Sequence, residues 1–138
     1  MFFKNSKYIN DNLGLIKVTA LLVHAAKIDE NYSAEEDKII KQTLIKIGAK
    51  NENVDQIIKE GKKIEENSNQ ILDFTKEVKN MDERNKIKIV ETLWKIIYSD
   101  KKADIYETGL MRKLAGLLYI DNKTMGDIKV KIQKDKIQ

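Results

Sequence analysis

Apolar residues recur three and four positions apart along nearly the whole chain, and no proline interrupts them. This spacing places the apolar side chains on one face of a helix, as in Ile87, Val90 and Trp94. The sequence has no run of alternating apolar and polar residues bounded by turn residues, so it predicts no strand. The pattern predicts helices over residues 11–29, 33–48, 53–66, 69–80, 82–99, 104–119 and 122–135. We therefore expect an all-α fold, a compact bundle of about seven helices.

Capping residues agree with these predicted helix boundaries. Ser33 stands three positions before Glu36, and Asp104 three before Glu107, which is the spacing of a capping box at a helix start. Further helix starts are predicted at Ser68, Asp82 and Asp121, and a helix end at Gly48. With 138 residues the chain is predicted to form one domain, residues 1–138, with a core over about 13–130, a short N-terminal arm and a Lys-rich C-terminal end.

The net charge of +4 is located at the two ends of the chain. Residues 21–120 carry 18 basic and 18 acidic side chains, so the body of the domain is neutral. A surface that binds nucleic acid normally concentrates basic residues on one face, often with arginines, and Arg84 and Arg112 are the only arginines here. We expect Lys-rich solvated helix faces and no nucleic-acid partner.

Cellular location is constrained mainly by what the sequence lacks. There is no cysteine, which excludes disulfides and thiolate zinc sites. The longest uncharged apolar stretch, residues 18–26, is too short to span a bilayer. No basic region precedes an apolar run at residues 1–4, so we expect no signal peptide and a cytoplasmic protein.

The sequence contains an internal repeat with a gapless shift of 71 residues. Each copy has an apolar helix, an Asp at its end, a short polar turn and a Glu in the first turn of the next helix. The matched pairs are Leu22 with Leu93, Asp29 with Asp100, Glu36 with Glu107, Ile39 with Leu110, Ile40 with Met111, Lys41 with Arg112 and Ile47 with Leu118. The repeat predicts two helix–turn–helix halves related by pseudo-symmetry and linked by residues 50–80.

Asp29 and Asp100 are predicted at helix C-termini, where a carboxylate faces the negative end of the helix dipole. Two arrangements would offset this conflict. Backbone N–H groups of the next helix could hold each Asp, or a cation such as Ca²⁺ or Mg²⁺ could bind there. An EF-hand is excluded, since a loop starting at Asp29 has Ala34 at its sixth position and Ile40 at its twelfth. For Glu36 and Glu107, helix capping accounts for the residues without a ligand.

The two repeated segments, residues 21–36 and 93–107, resemble the tellurite-resistance TerB family. In that family each half has an apolar helix that ends in an Ala-Asp-Gly-like turn and is followed by a Glu-bearing helix. The resemblance covers about residues 13–130, and the second segment continues as the family's last long helix does. The glycine that usually follows the Asp is replaced by Glu30 in the first copy and by Lys101 in the second.

The resemblance implies a helical bundle whose acidic residues bind a divalent cation, Ca²⁺ or Mg²⁺. Asp29 and Asp100 would be the primary ligands, and the assisting residues would be Glu36, Asp104 and Glu107. It also implies a setting in tellurite or general stress response, often near membranes, and no enzyme activity. Lys101 places a positive charge beside Asp100, so the cation site is expected first of all at Asp29.

We therefore predict a non-catalytic domain that uses its acidic turns to bind a divalent cation or a protein partner. His24, the only histidine, has no cysteine or second histidine as a partner and is predicted to be a partly exposed helix residue. The alternative is a protein or membrane-surface adaptor in which the acidic residues only cap helices. Phe2 and Phe3, ahead of Lys4 and Lys7, would contact the membrane in that case.

Overall fold

A computed structural model describes residues 2–27, 34–67, 71–97 and 105–137, with side chains described over 12–27, 34–67, 71–96 and 109–134. The described ranges contain seven helices and no strand. The helices are α1 (Phe2–Lys27), α2 (Ala34–Lys46), α3 (Val54–Glu66), α4 (Leu72–Lys79), α5 (Glu83–Ile97), α6 (Ile105–Leu117) and α7 (Asn122–Ile137). The predicted all-α fold with seven helices is confirmed.

The start of the first helix is the largest difference from the sequence prediction. The helix was expected from residue 11, after a short arm, but α1 already begins at Phe2. Apolar spacing is weak before Leu13, which is why the prediction starts too late. Residues 2–10 contain neither proline nor glycine, so nothing in their backbone chemistry ends the helix. The segment predicted as an arm is therefore part of α1.

Helix α1 contacts α2, α3, α4 and α5, and its contact with α3 is the most extensive in the bundle. Its side chains Ile16, Leu21 and Leu22 are fully buried. Each such side chain contributes about 1.5–3 kcal/mol when it is removed from water. The core of the domain is thus organised around α1.

A buried pair of threonines joins α2 to α5. The Oγ1 atoms of Thr43 and Thr92 lie 2.6 Å apart. The Thr92 hydroxyl donates to the carbonyl of Lys88 at 2.9 Å, so the Thr43 hydroxyl is the donor within the pair. Both hydroxyl groups are thereby satisfied inside the core, where an unpaired one would be costly.

Two predicted helix starts are confirmed by side-chain hydrogen bonds. The Oδ1 atom of Asp82 accepts the N–H of Asn85 at 2.8 Å, just ahead of α5. The Oδ1 atom of Asp121 accepts the N–H of Thr124 at 2.6 Å, just ahead of α7. Each carboxylate satisfies an N–H group that has no partner within its helix.

The predicted helix end at Gly48 is also confirmed. The N–H of Gly48 donates to the carbonyl of Ile45 at 3.2 Å, and the N–H of Ala49 donates to that of Leu44 at 2.9 Å. Gly48 has a φ of +121°. These two bonds and the positive φ are typical of a Schellman motif.

The same motif occurs 71 residues later, at the end of α6. The N–H of Tyr119 donates to the carbonyl of Gly116 at 3.3 Å, and the N–H of Ile120 donates to that of Ala115 at 3.0 Å. Tyr119 has a φ of +56° and is the only described residue other than glycine with a positive φ. The repeat found in the sequence is therefore repeated in backbone conformation, including a left-handed residue.

The repeat also extends further than the sequence analysis predicted. Residues 50–80 were expected to link the two halves, but α3 corresponds to α7 at the same shift of 71. Val54 and Met125, which correspond, are both buried, as are Ile57 and Ile128. Each half therefore has three helices, α1–α3 and α5–α7, and α4 connects them.

Candidate functional site

Most of the predicted acidic residues lie outside the part of the chain that the structure describes. Asp29, Asp100 and Asp104 are in the undescribed ranges. Glu107 belongs to α6, but its side chain is not among those described. Only Glu36 is described in full, so the convergence of these side chains stays a prediction.

Glu36 occupies the third position of α2, the position that a capping box assigns to a Glu. Glu36 is only 1% exposed, whereas the neighbouring Glu35 is exposed. Removing an ionised carboxylate from water costs several kcal/mol unless charge or hydrogen bonds compensate. The helix N-terminus, which is electropositive, provides about 0.3–1 kcal/mol of that compensation. Glu36 is therefore a buried acidic group at the start of α2, seven positions after Asp29 in the sequence.

An ion pair connects the acidic start of α2 to α3. The Nζ atom of Lys62 lies 3.1 Å from Oδ1 of Asp37, and both side chains are about two-fifths exposed. A pair with this exposure contributes at most about 1 kcal/mol. It helps to orient α2 against α3.

A second polar cluster, which sequence reasoning missed, joins α1 to α3 around Glu65. The Nζ atom of Lys27 donates to Oε1 of Glu65 at 2.7 Å, and Nδ1 of His24 lies 3.9 Å from Oε2. Glu65 is 8% exposed. His24 and Lys27 are three positions apart on one helix, but the sequence gives no signal that pairs them with a glutamate on another. Only the packing of α1 against α3 creates this cluster.

The environment of His24 lowers its pKa below the ordinary value of 6.5. Burial is the main cause, and the positive charges of Lys113 and Lys27 act in the same direction, while the Glu65 carboxylate opposes them. The side chain is 39% exposed, which confirms the predicted partial exposure. Near neutral pH His24 is thus held mostly in its neutral form.

We expect the free energy of unfolding to fall as the pH is lowered from about 8 to about 5. The unfolded chain takes up a proton on His24 near pH 6.5, but the folded protein does so only at a lower pH. Stability therefore decreases below the unfolded pKa, until the folded protein is protonated as well. Urea unfolding from about pH 8 to pH 5 should show a steeper decrease in the free energy of unfolding for the wild type than for His24→Gln. Lys113→Gln should reduce the loss, and equal pH dependence in wild type and His24→Gln would contradict this role.

The described side chains do not assemble a metal centre by themselves. Among them, no group of three or more His, Asp or Glu side chains is placed to hold a metal ion. A Ca²⁺ ion needs six to eight oxygen ligands, so Glu36 alone cannot hold one. A cation site at Glu36 would require further ligands, and the predicted ligand Asp29 lies outside the described residues.

Within the described ranges, none of the helices is both long enough and apolar enough to cross a bilayer.

Comparison with known proteins identifies the family. The family model described as "Tellurite resistance protein TerB" matches residues 15–130, which is most of the chain. No curated protein and no solved structure matches the chain significantly. The matched range includes both Schellman motifs and nearly all of the two three-helix halves. The chain therefore belongs to the TerB family of tellurite resistance proteins.

Proposed function

We propose that this TerB domain is a non-catalytic binding module for tellurite or general stress response, and that it binds a divalent cation at the start of α2. Asp29 and Glu36 would supply the ligands in the first half. Oxygen donors of this kind suit Ca²⁺ or Mg²⁺. The observation that carries the proposal is the burial of Glu36, at 1% exposure, seven positions after a further carboxylate, Asp29, in the sequence.

The proposal is supported by a comparison of energies. The helix N-terminus contributes about 0.3–1 kcal/mol toward the several kcal/mol that burial of a charge costs, beside the other polar or electrostatic interactions of Glu36. Hydrogen bonds of a capping box would add about 1 kcal/mol. A bound cation would compensate both Glu36 and Asp29, which the sequence predicts at a helix C-terminus, where a carboxylate is unfavourable. It would therefore resolve two electrostatic conflicts in one place.

The competing proposal is an adaptor that binds a protein or a membrane surface, with Glu36 as a capping residue only. In an adaptor of this kind the stability of the domain would not respond to metal. Capping and cation binding are therefore distinguished by a direct metal titration.

Metal-stripped protein should bind Ca²⁺ or Mg²⁺ and become more stable, since a ligand of the native state stabilises by about 2.7 kcal/mol at 100 times its Kd. Glu36→Gln should weaken the binding about tenfold or more, because it removes a charged ligand. Glu35→Gln is the matched control, since Glu35 is its exposed neighbour and should leave the affinity unchanged. Calorimetry and melting temperature are the measurements.

The cation proposal would be wrong if the wild type gave neither heat nor a shift in Tm at millimolar metal. Equal losses of affinity in Glu35→Gln and Glu36→Gln would also contradict it, because they would indicate a general effect of surface charge. Asp29→Asn should weaken binding more than Asp100→Asn, since Lys101 follows Asp100. If Asp100→Asn weakened metal binding more than Asp29→Asn, the cation site would lie in the second half instead.

A further inference from the structure

The second half of the bundle has a cleft between α5, α6 and α7. Its volume is about 170 Å³. Trp94, Met111 and Met125 line its apolar side with only 3%, 1% and 6% of each residue exposed, and Arg112 and Lys129 contribute two cationic groups. Apolar walls with a few convergent charged groups are typical of sites for small molecules.

The aromatic wall of the cleft is held in a defined position. The Nε1–H of Trp94 points to the Sδ atom of Met125 at 3.3 Å. The Nζ atom of Lys129 lies 5.5 Å from the centre of the Trp94 ring, within the range of a cation–π contact. The cationic group of Lys129 is thereby kept next to the apolar wall.

In the first half of the bundle, the basic residue that corresponds to Arg112 has an acidic partner. At the shift of 71, Arg112 corresponds to Lys41 and Gly126 corresponds to Asp55. Lys41 and Asp55 form an ion pair, with Nζ and Oδ1 3.2 Å apart. Gly126 provides no carboxylate, and none of the described carboxylates is within ion-pair distance of Arg112. The second half has therefore kept the cationic group and lost the anionic one.

The first half also shows how the equivalent space is filled. Ala115 corresponds to Leu44, which is fully buried, and Lys129 corresponds to Ile58, which is 5% exposed. Exchange of a leucine for an alanine removes three carbon atoms from this place, and the isoleucine has become a second cation. Trp94 and Met125, however, correspond to the smaller Val23 and Val54, so the lining as a whole has lost negative charge but not volume.

We propose that this cleft binds a small amphipathic carboxylate. Its carboxylate lies against Arg112 and Lys129, where Asp55 lies against Lys41 in the first half. Its apolar part packs on Trp94 and the two methionines. A cavity of about 150 Å³ accommodates benzene, so the cleft has room for one ring or a chain of similar size.

Trp94 is the only tryptophan, so its fluorescence and its indole N–H resonance report on the cleft directly. Titration with benzoate and hexanoate should change both signals and saturate. The neutral analogues benzyl alcohol and hexan-1-ol should bind at least about tenfold more weakly, because they lack the charge that Arg112 and Lys129 recognise.

Three variants test the assignment. Arg112→Gln should weaken benzoate binding about tenfold, while Lys41→Gln, its counterpart in the first half, should leave it unchanged. Gly126→Asp restores the missing carboxylate and should also weaken binding about tenfold or more, since the new side chain competes for Arg112. Beyond the backbone of its own helix, no described atom lies within 4 Å of a Cβ at Gly126, so this variant should keep the fold, which its melting temperature verifies.

The proposal is overturned if the carboxylates leave the Trp94 signals unchanged, or if the neutral analogues bind equally well. It is also overturned if Arg112→Gln and Lys41→Gln have the same effect. Binding of a peptide rich in Asp and Glu without any binding of benzoate or hexanoate would assign the cleft to a protein partner instead.

Discussion

Replacement of Gly61 by alanine is expected to lower the free energy of unfolding by about 2 kcal/mol. A Cβ atom at this position would lie 2.5 Å from both Cβ and Cγ2 of Thr19 on α1, and 3.0 Å from the carbonyl oxygen of Ile16. Thr19 is β-branched and fully buried, so it has little freedom to rotate away. Forcing α1 and α3 apart costs about 3 kcal/mol, and the better helix propensity of alanine returns about 1 kcal/mol.

Thermal and urea unfolding would measure this loss, and a decrease in Tm of roughly 6–8 °C is expected. Gly109→Ala on α6 is the control, because no described atom outside the backbone of its own helix lies within 4 Å of a Cβ there. It should stabilise the protein by about 0.5–1 kcal/mol. A stabilisation of similar size in Gly61→Ala would show that the two helices do not need the close approach.

A double variant identifies the contact that is responsible. Thr19→Gly removes the side chain that an alanine at position 61 would meet. The combination of Thr19→Gly and Gly61→Ala should therefore destabilise less than the sum of the single changes, with a coupling of about 1–2 kcal/mol. Additive effects would place the cost of Gly61→Ala elsewhere.

The contrast between Gly61 and the helix ends shows what the sequence could reveal. Local chemistry predicts the helix starts at Asp82 and Asp121, because each capping side chain and its N–H partner are three positions apart. It also predicts the helix end at Gly48, since glycine readily adopts a positive φ. Gly61 is visible in the sequence only as a small residue on the apolar face of a predicted helix. Which helix lies against it depends on the packing of the whole bundle.

The candidate sites follow the same rule. Glu36 was identified because the repeat pairs it with Glu107, and it is buried at a helix start. Glu65 was missed, since its partners His24 and Lys27 are about forty positions away and no spacing links them. The cleft at Trp94 is recognised only when sequence and structure are combined. The repeat in the sequence identifies Gly126 as the position that lacks a carboxylate, and the fold shows that Gly126 lines a cleft.

The left-handed residues at the two Schellman motifs provide the second large effect on stability. Gly48→Ala is expected to lower the free energy of unfolding by about 2 kcal/mol, because a φ of +121° is strained for any residue with a Cβ. Apart from the two adjacent residues, no atom of the described part of the chain lies within 4 Å of a Cβ at this position, so steric contact with other helices does not contribute. Urea unfolding measures the loss, and a change below about 0.5 kcal/mol would contradict it.

Tyr119, the counterpart of Gly48, already carries such a strain, with a φ of +56°. The residue is 73% exposed, and the centre of its ring lies 4.3 Å from Nζ of Lys79, a contact that contributes about 0.5–1 kcal/mol. Tyr119→Ala loses this contact and keeps the strain, so stability should fall by about 0.5 kcal/mol or more. Tyr119→Gly also loses the contact but relieves about 1–2 kcal/mol of strain, so it should be more stable than Tyr119→Ala by about 1 kcal/mol. If both variants were equally stable, the cation–π contact alone would account for Tyr119, and the two helix ends would share a hydrogen-bond pattern but not a conformational cost.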